Sequence, residues 1–242
     1  MNEFFVDVKT PDGVMECFAV HPESEGPFPA VILYMDMPGI REELYEFTRK
    51  IANQGYFCLL PDMFYREGRI RFDLAKGREE IDKMFVVGAT LNHEKVMRDT
   101  EGMLDYFDNQ RNIEGPIGCI GYCMSGRYVV GAAGTFPNQF AAIASLYGVG
   151  IVTDQSDSPH LLAEKIKGEL YLGFASEDPF VGPEVIPELK KTFDQHNVSH
   201  VVEVHPNTEH GFCFPGRPAY AEHAAEKVWD IVFDLFGRKL KK

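Results

Sequence analysis

Ile117-Gly118-Cys119-Ile120-Gly121-Tyr122-Cys123-Met124-Ser125-Gly126 lies near the middle of the chain. Its first six residues are short, apolar and strand-like, and residues 124–135 suit a helix. At the junction, Gly121, Cys123 and Ser125 approximate the pattern Gly-x-nucleophile-x-Gly. In that pattern a strand turns sharply into a helix and presents one side chain at the top of a sheet. Small residues flank the presented side chain because neighbouring backbone approaches closely there. Ser125 stands where the second glycine is usual, with Gly126 behind it. Cys123 is the side chain presented; Ser125 would need a glycine at 123 to take its place. A helix N-terminus favours a thiolate. A buried structural cysteine beside a glycine-rich helix start is the other reading of the same residues.

Outward from this turn, strand and helix signals alternate. Residues 3–9 and 14–20 are β-prone and meet at Pro11-Asp12-Gly13, a turn signal. Residues 30–35 are continuously apolar, as a strand buried on both faces requires. A helix is predicted at 41–53, with Leu44, Phe47 and Ile51 on one face and Gly55 as its stop. A strand at 56–60 and helices at 71–85 and 93–109 complete the first half. After the central helix come strands at 141–146 and 170–175, a helix at 183–196, a strand at 200–205 and an amphipathic helix at 218–236. The alternation predicts an α/β fold: one domain over residues 1–242, a mainly parallel, doubly wound sheet in three α-β-α layers, and no large cap.

Composition narrows the function. The 242 residues are 45% hydrophobic and 25% charged, enough for a full core. A formal net charge of −13 repels phosphate backbones, so no nucleic-acid partner is expected. No apolar run approaches the ~20 residues of a membrane span, and the N-terminus lacks the basic-then-apolar form of a signal peptide, so no membrane association is expected. The basic tail Arg238, Lys239, Lys241 and Lys242 reads as a solvated helix end. Five cysteines with no Cys-x-x-Cys pair do not describe a disulfide framework, which points to a reduced, cytoplasmic protein. Cys17, Cys58 and Cys119 lie in apolar runs as small hydrophobes.

In sheets of this kind the chemistry sits on loops at the carboxyl ends of the strands. Two more such loops carry candidates. Asp178, in Ser176-Glu177-Asp178-Pro179-Phe180, can orient an imidazole or simply form a turn before proline. His210, in Glu209-His210-Gly211-Phe212, is placed as a general base before the last helix. The order nucleophile, acid, histidine at 123, 178 and 210 is that of the α/β-hydrolases. His196, His200, His205 and His210 crowd one stretch, but with no His-Glu-x-x-His spacing they do not describe a metal site. No phosphate-binding or dinucleotide fingerprint is present, so no metal and no other cofactor is implied.

The chain resembles the dienelactone hydrolases (carboxymethylenebutenolidases), cysteine members of the α/β-hydrolase superfamily, over nearly its whole length. Besides the residues above, Gly55-Tyr56, Pro61-Asp62 and Tyr147-Gly148-Val149-Gly150 carry the likeness. The resemblance implies an α/β-hydrolase fold, with Cys123 as nucleophile, Asp178 as orienting acid and His210 as general base. It implies that Asp36, in place of the more usual Glu, meets the resting thiol. It also implies that the amides of Met37 and Met124 form an oxyanion hole. Arg217 is the candidate to hold a substrate carboxylate, or else a solvated charge, and Tyr122 the candidate to line the substrate. The expected activity is hydrolysis of small lactones or esters through an acyl-enzyme thioester. A general carboxylesterase with another substrate, or a non-catalytic binding module of the same fold, remains the alternative. The oligomeric state is left open between monomer and dimer.

Overall fold

The computed structural model describes residues 1–241; Lys242, the last of the basic tail, lies outside them. Two compact units are present, Met1–Gly115 and Pro116–Lys242. Among the described residues no helix is long and apolar enough to cross a membrane.

The first unit opens with a hairpin. β1 (Asn2–Thr10) and β2 (Gly13–His21) pair antiparallel from Asn2↔His21 to Thr10↔Gly13 across the Pro-Asp-Gly turn. β3 (Ala30–Tyr34) and β4 (Phe57–Pro61) are buried at every residue and pair parallel. β2 joins β4 antiparallel, giving the order β1-β2-β4-β3. The all-apolar runs of β3 and β4 are what two-sided burial demands. α1 (Glu42–Ala52) buries Leu44, Phe47 and Ile51, the expected face, with Glu42 and Glu43 at its positive end and Arg49 and Lys50 at its negative end.

The helix expected at 71–85 is displaced. Residues Leu74–Lys76 make a 3-10 turn capped by the Asp73 carboxylate, and Gly77 follows at φ +84°. That left-handed residue breaks the helical path, so α2 begins only at Arg78 and runs to Gly88. α3 (His93–Asp108) starts as expected, capped by Asn92 Oδ1 accepting from the Lys95 amide at 2.9 Å.

The second unit is a run of parallel strands in chain order. β5 (Ile117–Tyr122), β6 (Phe140–Leu146), β7 (Glu169–Glu177) and β8 (His200–Glu209) pair successively, each with its neighbour in sequence. α4 (Gly126–Thr135), α5 (Val185–Gln195) and α6 (Glu222–Leu240) are its helices. Among the boundaries that differ from expectation, two have a visible cause. β8 continues four residues past His205, because a bulge absorbs the Pro206-Asn207 interruption. α6 starts four residues later than Pro218 suggests: the Tyr220 amide donates to the Arg217 carbonyl at 3.0 Å and the Ala221 amide to the Phe212 carbonyl at 3.1 Å, so 217–221 is a tied-down turn.

Candidate functional site

The turn after β5 is built around close backbone approaches. Cys123 has φ +52°, a left-handed conformation that costs a non-glycine residue roughly 1–2 kcal/mol. A 3-10 turn, Cys123–Ser125, then leads into α4. A Cβ on Gly121 would lie 2.6 Å from the Ser125 carbonyl oxygen, so side chains are excluded there. A Cβ on Gly126 would lie 2.3 Å from the Gly148 Cα. The tight approach is therefore made at Gly126, which is why Ser125 is tolerated in place of the second glycine. The Val149 amide donates to the Cys123 carbonyl at 3.0 Å and fastens the loop after β6 to this turn. Cys123 is partly exposed, whereas the other four cysteines are buried.

Asp178 and His210 meet at the carboxyl ends of β7 and β8. His210 Nδ1 lies 2.8 Å from Asp178 Oδ2, and the carboxylate assigns the proton to that nitrogen. The two side chains are 9% and 3% exposed, which shelters the pair from water. Asp178 Oδ1 accepts from the Phe180 amide at 3.0 Å. The imidazole is held edge-on between the Tyr147 ring, 5.0 Å away, and the Phe180 ring, 4.8 Å away. Burial alone would lower the His210 pKa; the hydrogen bond to Asp178 and the neighbouring Cys123 sulfur outweigh it and lift the pKa to about 9. Nε2 is buried and, among the described residues, has no hydrogen-bond partner. Cys123 thus acts on this imidazole as a close neighbour rather than through a closed hydrogen bond, a looser geometry common in free enzymes.

The remaining candidates divide between the two units. Met124 is buried at the elbow, directly after Cys123. Tyr122 is wholly buried; its ring packs 5.1 Å from Phe214 and 6.0 Å from Tyr147. Arg217 is half-buried against the histidine loop: its guanidinium lies 4.6 Å from the Phe214 ring centre, and a Cβ on Gly211 would sit 2.8 Å from its Nη1. Asp36 and Met37 belong to the first unit, in the turn 36–39 closed by the Gly39 amide on the Asp36 carbonyl at 2.9 Å. The buried Asp36 carboxylate is held at both oxygens by Arg41, at 2.5 and 3.1 Å, and Arg41 also donates to the Gly39 carbonyl at 3.1 Å.

Arg41 was not among the expected site residues, nor were Phe180 and Tyr147 as the walls beside His210. Arg41 sits five positions from Asp36, a spacing no regular element singles out. Tyr147 carries one local signal, a bulky residue before Gly148 at a strand end, where it adopts φ +37°. Three of the four clustered histidines have separate duties: His205 Nε2 lies 2.8 Å from the Tyr171 hydroxyl, His200 Nδ1 lies 2.9 Å from the Val198 carbonyl, and His210 is on Asp178.

The profile of the Dienelactone hydrolase family matches residues 15–240. A Synechocystis protein provisionally named a carboxymethylenebutenolidase is 25% identical over 228 residues, covering 93% of this chain and 92% of that one. A protein of Methylorubrum extorquens with the same provisional name is 24% identical, over 95% of this chain and 79% of its own. Among solved structures, a protein of Klebsiella pneumoniae provisionally described as a dienelactone hydrolase superposes with a TM-score of 0.85 at 19% identity, covering 98% of this chain and all of its own. A dienelactone hydrolase-like promiscuous phosphotriesterase from metagenomic libraries gives 0.79 at 22% identity, covering 99% and 100%. The mixed α/β architecture is that of the α/β-hydrolase fold.

Proposed function

Since this chain belongs to the dienelactone hydrolase family and is an ester-bond hydrolase, we propose that it cleaves small lactones or esters with Cys123 as nucleophile. The observation that carries this reading is His210: one nitrogen on Asp178 at 2.8 Å, the other buried and, among the described residues, without a hydrogen-bond partner, with the Cys123 sulfur as its neighbour.

The steps follow from those positions. The thiol proton passes to His210 Nε2, and an imidazole whose pKa is about 9 keeps it at neutral pH. The sulfur attacks the ester carbonyl carbon, and the negative charge moves to the carbonyl oxygen, where the amide of Met124, next after the nucleophile, receives it. The carbon–oxygen bond then breaks and the leaving oxygen takes the proton from His210, which leaves a thioester. Water attacks the thioester as His210 accepts its proton, the acid departs, and the thiolate–imidazolium pair is restored. Asp178 holds the imidazole in the tautomer these transfers need. An enol or phenol leaves readily, so a thiolate suffices, whereas an amide should be a poor substrate. Asp36, engaged by Arg41, braces the turn 36–39, and Arg217 is assigned the carboxylate of an anionic lactone. Tyr122 is assigned the floor of the substrate site beneath the elbow.

Mixing stoichiometric enzyme with an aryl ester and quenching in acid tests the proposal. A mass increment of one acyl group on the peptide containing Cys123 is expected, and Cys123→Ala should lose the increment and about three or more orders of magnitude in rate. Undiminished turnover in Cys123→Ala would end this mechanism.

A further inference from the structure

β7 and β8 do not pair in one register. From Leu170↔His200 to Ala175↔His205 the partners are thirty residues apart, but Glu177 pairs with Glu209, thirty-two apart. Between these rungs the single residue Ser176 faces Pro206, Asn207 and Thr208. Pro206 has no amide hydrogen for a rung, and Asn207 adopts φ +56°, a conformation asparagine tolerates. Had the first register continued, Thr208 would stand opposite Asp178. The two-residue slip puts His210 there. A slip of two keeps side chains on the same face of the strand, whereas a slip of one would turn the imidazole to the other.

The slip is closed by side chains. Ser176 Oγ donates to the Thr208 carbonyl at 3.3 Å and accepts from the Thr208 amide at 3.1 Å. Thr208 Oγ1 accepts from the Ser176 amide at 3.3 Å and donates to the His205 carbonyl at 2.7 Å. Thr208 is 3% exposed, so any of these groups left unpaired there would be costly. Each hydroxyl thus replaces part of a ladder that the bulge has opened, two residues before Asp178 on one strand and two residues before His210 on the other.

We propose that Ser176 and Thr208 form a clasp that sets the register of the acid and the base, making them positioning residues for the hydrolysis. The proposal rests on the reading of Asp178 and His210 as the working pair, and it concerns how their contact is kept. Neither hydroxyl touches the reacting atoms. Loss of the clasp lets Asp178 and His210 drift, and about 1 Å of misplacement can cost roughly a hundredfold in rate.

Thr208→Val keeps the shape and removes both hydroxyl bonds; Ser176→Ala does the same at an exposed position where folding is under little threat. Expected are a fall in kcat of about tenfold to a hundredfold with KM nearly unchanged, and a His210 titration, followed by imidazole NMR, displaced downward from about 9. Thr208→Ser should restore both. Wild-type kcat and titration in both removal variants would overturn the clasp, as would lost kcat with His210 titrating unchanged. Active Cys123→Ala in the same assay would instead overturn the catalytic reading, and the NMR titration would then still judge the clasp by itself.

Discussion

His210 is pulled in two directions, and the larger pull sets its chemistry. Burial disfavours the imidazolium, but Asp178 and Cys123 carry the pKa to about 9, above the ordinary 6.5. A group that binds its proton more tightly when folded stabilises the folded chain fully below about 6.5, and that contribution fades as pH rises through about 9. The same titration should form the alkaline limb of kcat/KM, because above it the leaving oxygen finds no proton. Asp178→Asn removes a raising influence, so the limb should move to lower pH; a limb unmoved in that variant would detach it from His210. Arg217 offers a second test at this scale. Its guanidinium lies over Phe214 and beside the glycine that follows the base. Arg217→Ala should raise KM about tenfold to a hundredfold for a carboxylate-bearing lactone, the worth of one charge-assisted bond, and leave neutral aryl esters unaffected. Equal losses on both substrates would remove the carboxylate clamp.

Among the elements, the elbow between β5 and α4 is held by what its glycines leave out. Gly126→Ala would push a methyl group to 2.3 Å from the Gly148 Cα, and backbone cannot step aside as a side-chain tip can. We expect a loss of about 1–3 kcal/mol in unfolding free energy, typical of overpacking, with a matching loss of activity as Cys123 is displaced. Gly237, inside α6, is the contrasting case: among the described residues, nothing outside the helix's own local backbone lies within 4 Å of the position its Cβ would take. There alanine should stabilise by roughly 0.5–1 kcal/mol through helix propensity alone. Thermal or urea unfolding of the two variants separates steric demand from propensity; equal shifts of the same sign would refute the elbow argument.

Across the whole molecule, five thiols share one chain and differ by where the fold puts them. Burial drives Cys17, Cys58 and Cys119 well above the ordinary thiol pKa, which keeps them protonated and inert. Cys213 is also buried, and Cys123 alone of the five is partly exposed. Brief iodoacetamide treatment of the native protein should therefore label Cys123, and all five should react once denaturant opens the core. Peptide mapping that finds Cys213 labelled ahead of Cys123 would contradict the accessibility on which the catalytic reading depends.

What the sequence determined by itself is the local and the periodic. Apolar runs of five or six residues announced β3, β4 and β5; helical spacing announced α1; Gly121, Cys123 and Gly126 announced the elbow, because each of these depends on neighbours along the chain. The order of Cys123, Asp178 and His210 was legible for the same reason, each standing just past a strand. What only the tertiary structure decided involves partners that no periodicity links. Gly77 ended one path and started α2 late, and the turn 217–221 delayed α6. Asp36 was met by Arg41 at a spacing that belongs to no helix or strand. Above all, the distance between Asp178 and His210 was settled by a two-residue slip between β7 and β8. A register between strands is a property of the pair and its bulge, and neither strand's own residues contain it.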